Sequence, residues 1–430
     1  MQIIINSIIH YIIAGRLRGR NDTRCMTLLS NETGSESWWQ AQKQAGIPRI
    51  EPADDRHFRV TFFWRDADGS EATSPLRRVW LNITGVTDHH QRAVPRSLQR
   101  VTGTDVWLGS YLLPATWRGS YSLIPDRQAR DFNGEPDMMT LRAWWRDLLP
   151  AAQVDSLNPL RSWCGGRGNG VSPLHMPLAP EQQLWEAVDR GEETHIAPPH
   201  DWQSARLGNR RRIWIIETGA PHADRPLAIL LDGQFWATKM PIAGPLHTLT
   251  QRGDLPPAVY ILIDVIDTAH RSAELPCNAD FWIAVQQELL PQVQTTIPFT
   301  ADPQQTLVAG QSFGGLSAVY AALHWPQRFG AAISQSGSFW WPDRALNAAD
   351  QQPGWLNGQI AAGLGQGQAQ RFFIEAGSRE PLVLTANHDL HHQLTDAGHQ
   401  VNYRLVEGGH DALCWRGGLL DGLTSLWQRC

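Results

Sequence analysis

The sequence predicts an α/β protein in which a mostly parallel sheet covered by helices, at the C-terminal end, follows an N-terminal antiparallel β-sandwich domain. Three observations predict this. The chain has 430 residues, and at roughly 150 residues per domain that length calls for two or three domains. Its hydrophobic texture changes near Arg211, from short alternating runs to near-continuous apolar ones. The later runs also alternate with helical patterns, as strands buried on both faces beneath helices do.

Taken in order, the first stretch, "MQIIINSIIHYIIAGRLRGR", has an apolar part too short and interrupted to span a bilayer, which takes roughly 20 residues. Its arginines follow the apolar part, the reverse of a secretory signal. Residues 1–25 are therefore expected to be a non-native or dispensable extension ahead of Met26, a weak membrane anchor being the alternative. Within 26–150, the runs "HFRVTFFWRD", "RRVWLNITGV", "TDVWLGSYLL" and "RGSYSLIPD" are rich in Val, Trp, Tyr and Phe and broken by turn residues, which predicts the sandwich. "MMTLRAWWRDLLP" is a helical piece, and 151–206, with "WCGGRGNGVSPLHMPLAP", is expected to be a loop-rich connector. In 207–430 the strands are "RRIWIIET", "PLAILLDG", "AVYILIDVI", "TLVAGQS", "GAAISQSG", "RFFIEAG" and "NYRLVEG". Helices are predicted at "DFWIAVQQELLPQV", "GGLSAVYAALHWP", "VLTANHDLHHQLTDAG" and "GGLLDGLTSLWQ".

Composition narrows the partners. A hydrophobic share of 42%, a charged share of 18% and a net charge of −5 describe a soluble globular protein. That balance makes no case for nucleic acid or an anionic membrane surface. Five cysteines, odd in number and without C-x-x-C spacing, argue against a disulfide framework or zinc knuckle and for a reducing compartment. No metal-ligand set stands out, and no cofactor is expected. The 20 tryptophans either fill cores or form stacking walls for a flat ligand.

The chemistry concentrates at strand ends. Gly310-Gln311-Ser312-Phe313-Gly314 sits between an apolar strand and an Ala/Leu-rich helix, the context a strained nucleophile elbow requires. The plainer alternative is that Ser312 caps the helix. A hydroxyl needs a base, and His410 in "EGGHDALCWRGG" follows the last predicted strand, where chain order puts it. "NHDLHHQL" offers other histidines at helical spacing that fit a surface face. A carboxylate should orient the imidazole from the loop after the penultimate strand. Glu380 in "RFFIEAGSRE" fits, with Glu375 and Asp389 as alternatives. Backbone N–H groups for a developing oxyanion are expected from Phe313 and from Gln234 or Phe235, after "LAILLDG". Arg271, in "DTAHRSAELPCNADF", either pairs with Glu274 or binds an anionic part of a substrate.

These segments, with "LLDGQFWA", "VAGQSFGGLSAVYAALHWPQRFG", "SQSGSFWWP" and "GGHDALCWRGGL", closely resemble the enterochelin (enterobactin) esterases from Leu227 to the end, and the N-terminal β region resembles that family's own. The resemblance implies an α/β-hydrolase that cleaves the ester bonds of the cyclic trimer of dihydroxybenzoyl-serine, preferably as ferric enterobactin, to release iron in the cytoplasm. The iron then enters as part of the substrate. It also implies Ser312 as nucleophile and His410 as base, the acid position being less firmly carried over. A ferric tris-catecholate is a bulky trianion with aromatic faces, so arginines and flat side chains should line its site. Trp340, Trp341 and Arg344, beside Phe339 in "SGSFWWPDR", lie on the expected rim and either serve there or pack beneath the loop. Another carboxylesterase of the same fold, such as a feruloyl or thioester hydrolase, would keep these residues but bind a smaller acyl group. A non-catalytic siderophore- or carbohydrate-binding protein would have no reason to keep Ser312 and His410 in hydrolase order.

Overall fold

The computed structural model describes residues 29–165, 169–192, 196–342 and 354–427. The expected extension at 1–25 and the expected site residue Arg344 lie outside the described residues. Sixteen strands form three sheets among the described residues. One antiparallel sheet contains β1 (Arg49–Pro52), β2 (His57–Arg65), β5 (Val106–Pro114) and β4 (Gln99–Arg100), in that order. The other contains β3 (Arg78–Ile83), β6 (Arg118–Asp126), β8 (Gly170–His175) and β7 (Trp163–Cys164). Alternate residues of both, among them Val60 and Phe62, Val79 and Leu81, and Tyr121 and Leu123, point into one shared core, as period-two side-chain alternation demands of two facing sheets.

The segment 151–206, expected to be a loop-rich connector, is divided among three structures. Strands β7 and β8 complete the second sandwich sheet, with Tyr121 paired to Ser172. Trp185 and Val188 pack into the core of the C-terminal half. His200–Ser204 forms β9, the edge strand of the large sheet. The proline in "GVSPLH" and the glycines around it give β8 no strand signal, and only its pairing with β6 makes it one.

The large sheet runs β16 (Gln400–Val406), β15 (Arg371–Gly377), β14 (Ala331–Gln335), β13 (Thr306–Gln311), β11 (Leu227–Leu230), β12 (Val259–Ile263), β10 (Asn209–Glu217) and β9. From β16 to β12 it is parallel, and β10 lies antiparallel to both β12 and β9. Leu227 and Ile229 face one core while Ala228 and Leu230 face the other. Helices cover both faces, which is why these strands read as unbroken apolar runs. Because β13 to β16 are parallel neighbours, the loops that follow β13, β15 and β16 emerge on one rim. Among the described residues, no helix is long and apolar enough to cross a membrane.

Candidate active site

Ser312 stands between the end of β13 and the helix Phe313–His324, with φ 58° and ψ −120°. A non-glycine residue in that region is strained and is held there by its surroundings. Its N–H donates to Gln335 O at 3.0 Å, and its carbonyl accepts from Ser338 N at 3.0 Å and Leu316 N at 3.1 Å. The turn is tight enough that a Cβ on Gly310 would lie 2.4 Å from the Gly314 carbonyl, which only glycine avoids. The Ser312 side chain makes no capping hydrogen bond to the helix. Its hydroxyl lies 3.2 Å from that of Ser338, so simple capping does not describe it.

Two strands over, Glu380 is fully buried and sits in hydrogen-bond contact with Nδ1 of His410. Its other oxygen accepts from Gly377 N at 2.9 Å and Ser336 Oγ at 2.7 Å. Burial alone would raise the Glu380 pKa, but the charge and hydrogen bond of His410 and the Ser336 hydroxyl bring it below the usual carboxylate value. Trp415 donates its indole N–H to Ser336 Oγ at 2.9 Å and presents its ring edge-on to His410 at 4.8 Å. The alternative acids are otherwise placed. Glu375 is bound by Gln335 and Arg404, and Asp389 is exposed on its helix. Among the described residues no hydrogen bond joins Ser312 to His410; such bonds commonly tighten only around substrate.

Phe313 N–H is the first of its helix and has no intrahelical acceptor. On the neighbouring strand β11, the turn after Leu231 leaves Phe235 N–H bonded to Asp232 O at 2.9 Å. That removes Phe235 from the two oxyanion candidates and leaves Gln234, whose side chain is held by Val265 N at 3.3 Å.

Arg271 does not pair with Glu274. Glu274 is buried against Arg211 at 2.7 Å, while Arg271 grips Asp232 in a fork of 2.7 and 2.8 Å and reaches Gln311 O at 3.3 Å. It thus ties the Gln234 turn to the residue before Ser312, and its guanidinium lies 5.8 Å from the Phe313 ring centre. Of the aromatic candidates, Phe339 is fully buried and Trp340 is 9% exposed, both within the core. Trp340 packs 5.9 Å from Phe313, so it buttresses the elbow rather than forming an open wall. Trp341 is half-buried, 6.5 Å from the exposed Trp355.

The N-terminal domain reaches this site, which sequence reasoning did not foresee. Asp411, next to His410, accepts from Ser120 N at 2.7 Å and Ser120 Oγ at 2.5 Å, both on β6. Gln91 Nε2 donates to Arg379 O at 2.6 Å, beside Glu380. Gly85 and Gly409 touch backbone to backbone: a Cβ on either would fall within 2.9 Å of the other's Cα. Between the domains lies a cavity of about 200 Å³, lined by His410 with Asn82, Thr84, His90, Tyr121 and Trp145. Burial lowers the pKa of His90, against the pull of Asp88, and its ring centre is 6.1 Å from that of His410. Beneath the elbow, a buried chain of amides runs from Trp236 through Gln311 and Gln335 to Glu375. The missed residues Ser336 and Ser338 had one available signal: they follow a buried strand on the same rim as the elbow.

An elbow serine at the carboxyl edge of a parallel sheet, with an acid–imidazole pair on the same rim, belongs to a carboxylic ester hydrolase of the α/β-hydrolase fold. Residues 59–185 match the family model "Enterochelin esterase, N-terminal" and residues 204–426 match "Putative esterase". The iron(III) enterobactin esterase of Escherichia coli K12 is 53% identical over 92% of this chain and 97% of its own length. That of Dickeya dadantii is 48% identical over 93% and 95%. The Shigella flexneri enterobactin esterase solved in the presence of enterobactin superposes with a TM-score of 0.83 at 51% identity, covering 92% of this chain and 99% of that one. The chain belongs to the enterochelin esterase family.

Proposed function

We propose that this chain hydrolyses the ester bonds of enterobactin, preferably as its ferric complex, and so releases iron in the cytoplasm. The observation that carries this reading is the 53% identity to an iron(III) enterobactin esterase across both domains, together with an elbow serine and an acid-paired histidine on one rim. In the proposed reaction Nε2 of His410 takes the Ser312 proton as Oγ attacks an ester carbonyl. Glu380 holds Nδ1–H and favours the imidazolium that forms. The N–H groups of Phe313 and Gln234 receive the oxyanion. Collapse expels the alcohol oxygen of the neighbouring serine unit, which takes the proton from His410. The acyl group left on Ser312 is then cleaved by water, deprotonated in turn by His410, giving a free carboxylate and regenerating the hydroxyl. The iron is cargo of the substrate, and no protein cofactor enters these steps.

Chromatographic product analysis with ferric and iron-free enterobactin tests the reading. The wild type should yield linear dihydroxybenzoyl-serine products, faster from the ferric complex. Ser312→Ala should still bind ferric enterobactin while losing all but a few per cent of turnover. Cleavage of simple acyl esters with no turnover of enterobactin would overturn the substrate assignment.

A further inference from the structure

The helix Pro381–Asp396 begins directly after Glu380, and two turns along it carries His388, His391 and His392. Residues at i, i+3 and i+4 share one helical face. Nε2 of His388 and Nε2 of His392 lie 3.1 Å apart. Two metal–nitrogen bonds of about 2.0–2.1 Å, meeting at an angle between square and tetrahedral, span roughly 2.8–3.4 Å, so this pair already has the bite of a bidentate site. Two neutral imidazoles facing each other through Nε2 must share a proton between them, or their lone pairs oppose. A cation between them satisfies both. A ligand nitrogen of His391 lies within 4.8 Å of the other two, and its Nδ1 is shielded from solvent without a hydrogen-bond partner among the described residues. The His391 ring is stacked on Tyr403 of β16 at 4.8 Å and 14°, which fixes its plane much as outer-shell partners fix ligating imidazoles.

We propose that His388, His391 and His392 form a binding site for a borderline divalent transition-metal ion of the Zn²⁺ class, on the outer face of the hydrolase domain and apart from the ester-cleaving rim. An all-imidazole donor set favours such ions over Mg²⁺ or Ca²⁺, which want oxygen ligands. Three protein ligands leave a fourth position to water.

The test is calorimetric titration of untagged, chelator-stripped protein with Zn²⁺ alone, comparing the wild type with a His388→Ala/His392→Ala double variant. Both replaced side chains are exposed, so circular dichroism should report the same fold. The wild type should take up one Zn²⁺ at a site that the double variant weakens by roughly tenfold or more, with Mg²⁺ giving no heat in either. His391→Ala should weaken it less than the double variant does. Equal affinity and stoichiometry in wild type and double variant, or no uptake by the wild type, overturns the proposal.

Discussion

Replacing Glu380 by Gln changes one atom of a buried group whose surroundings dictate how the amide must lie. Gly377 N–H can only donate, and the Ser336 hydroxyl, which accepts from Trp415 N–H, donates to the same carboxylate oxygen. The Gly377 donor is fixed, so the amide oxygen of Gln must sit opposite it and its NH₂ must face His410. Nδ1 of His410, now opposite a donor, has to accept, which moves the imidazole proton to Nε2. An imidazole in that tautomer cannot take the proton of Ser312. The expected loss is about 10³–10⁴-fold in kcat, equivalent to about 4–5.5 kcal/mol of barrier, with KM little changed because no substrate contact is removed. Steady-state chromatography of linear products from enterobactin measures it, with circular dichroism to verify folding. A kcat within tenfold of wild type would refute the reasoning and leave Ser312 and His410 as a pair that works without an acid.

Two further substitutions separate structural from recognition roles. Arg271→Ala should slow ferric enterobactin and a small neutral ester alike, by about tenfold to hundredfold for a charged hydrogen-bonded contact worth roughly 1.5–3 kcal/mol, because Arg271 holds Asp232 and the oxyanion turn. Selective loss on the ferric trianion would instead make it an anion anchor. Arg416→Met should destabilise the fold by about 3 kcal/mol, since it leaves a partly buried Asp189, which Arg416 grips at 2.7 Å through both nitrogens, with His175 at 3.4 Å as its remaining ion-pair partner. Burial opposes ionisation of Asp189, but Arg416 and His175 hold its pKa well below the usual range. Its contribution is therefore complete above an unfolded value near about 3.9 and fades as pH falls towards the folded value. The gap in melting temperature between wild type and variant should be full at neutral pH and shrink in acid; a gap that stays constant would disprove the linkage.

Ser312, His410 and Glu380 were legible because each follows a strand whose apolar run is visible in one dimension, and because parallel neighbours bring such loops to one rim. The Arg271 partner was not legible. Glu274, three residues on, looks right by helical spacing, but Arg211 from β10 claims it, and Asp232 arrives from 39 residues away. The aromatic run after β14 was ambiguous for a related reason. "SFWW" has the composition of either a wall or a core, and the burial of Phe339 and the packing of Trp340 on Phe313 decide for the core at those two positions. Strand β8 and the Ser120–Asp411 contact rest on pairings between distant segments, for which local pattern carries no trace.

The Gly85–Gly409 and Ser120–Asp411 contacts join segments made early and late in synthesis; the latter pair is 291 residues apart. Closing so long a span is cheap, because each doubling of loop length adds only about 0.6 kcal/mol. The elbow is built from its own strand, helix and immediate neighbours, whereas Asp411, the residue after the base, is anchored to β6 of the other domain. Parting the two domains would therefore leave Glu380 on the imidazole but free the loop that carries His410 from its hold on Ser120.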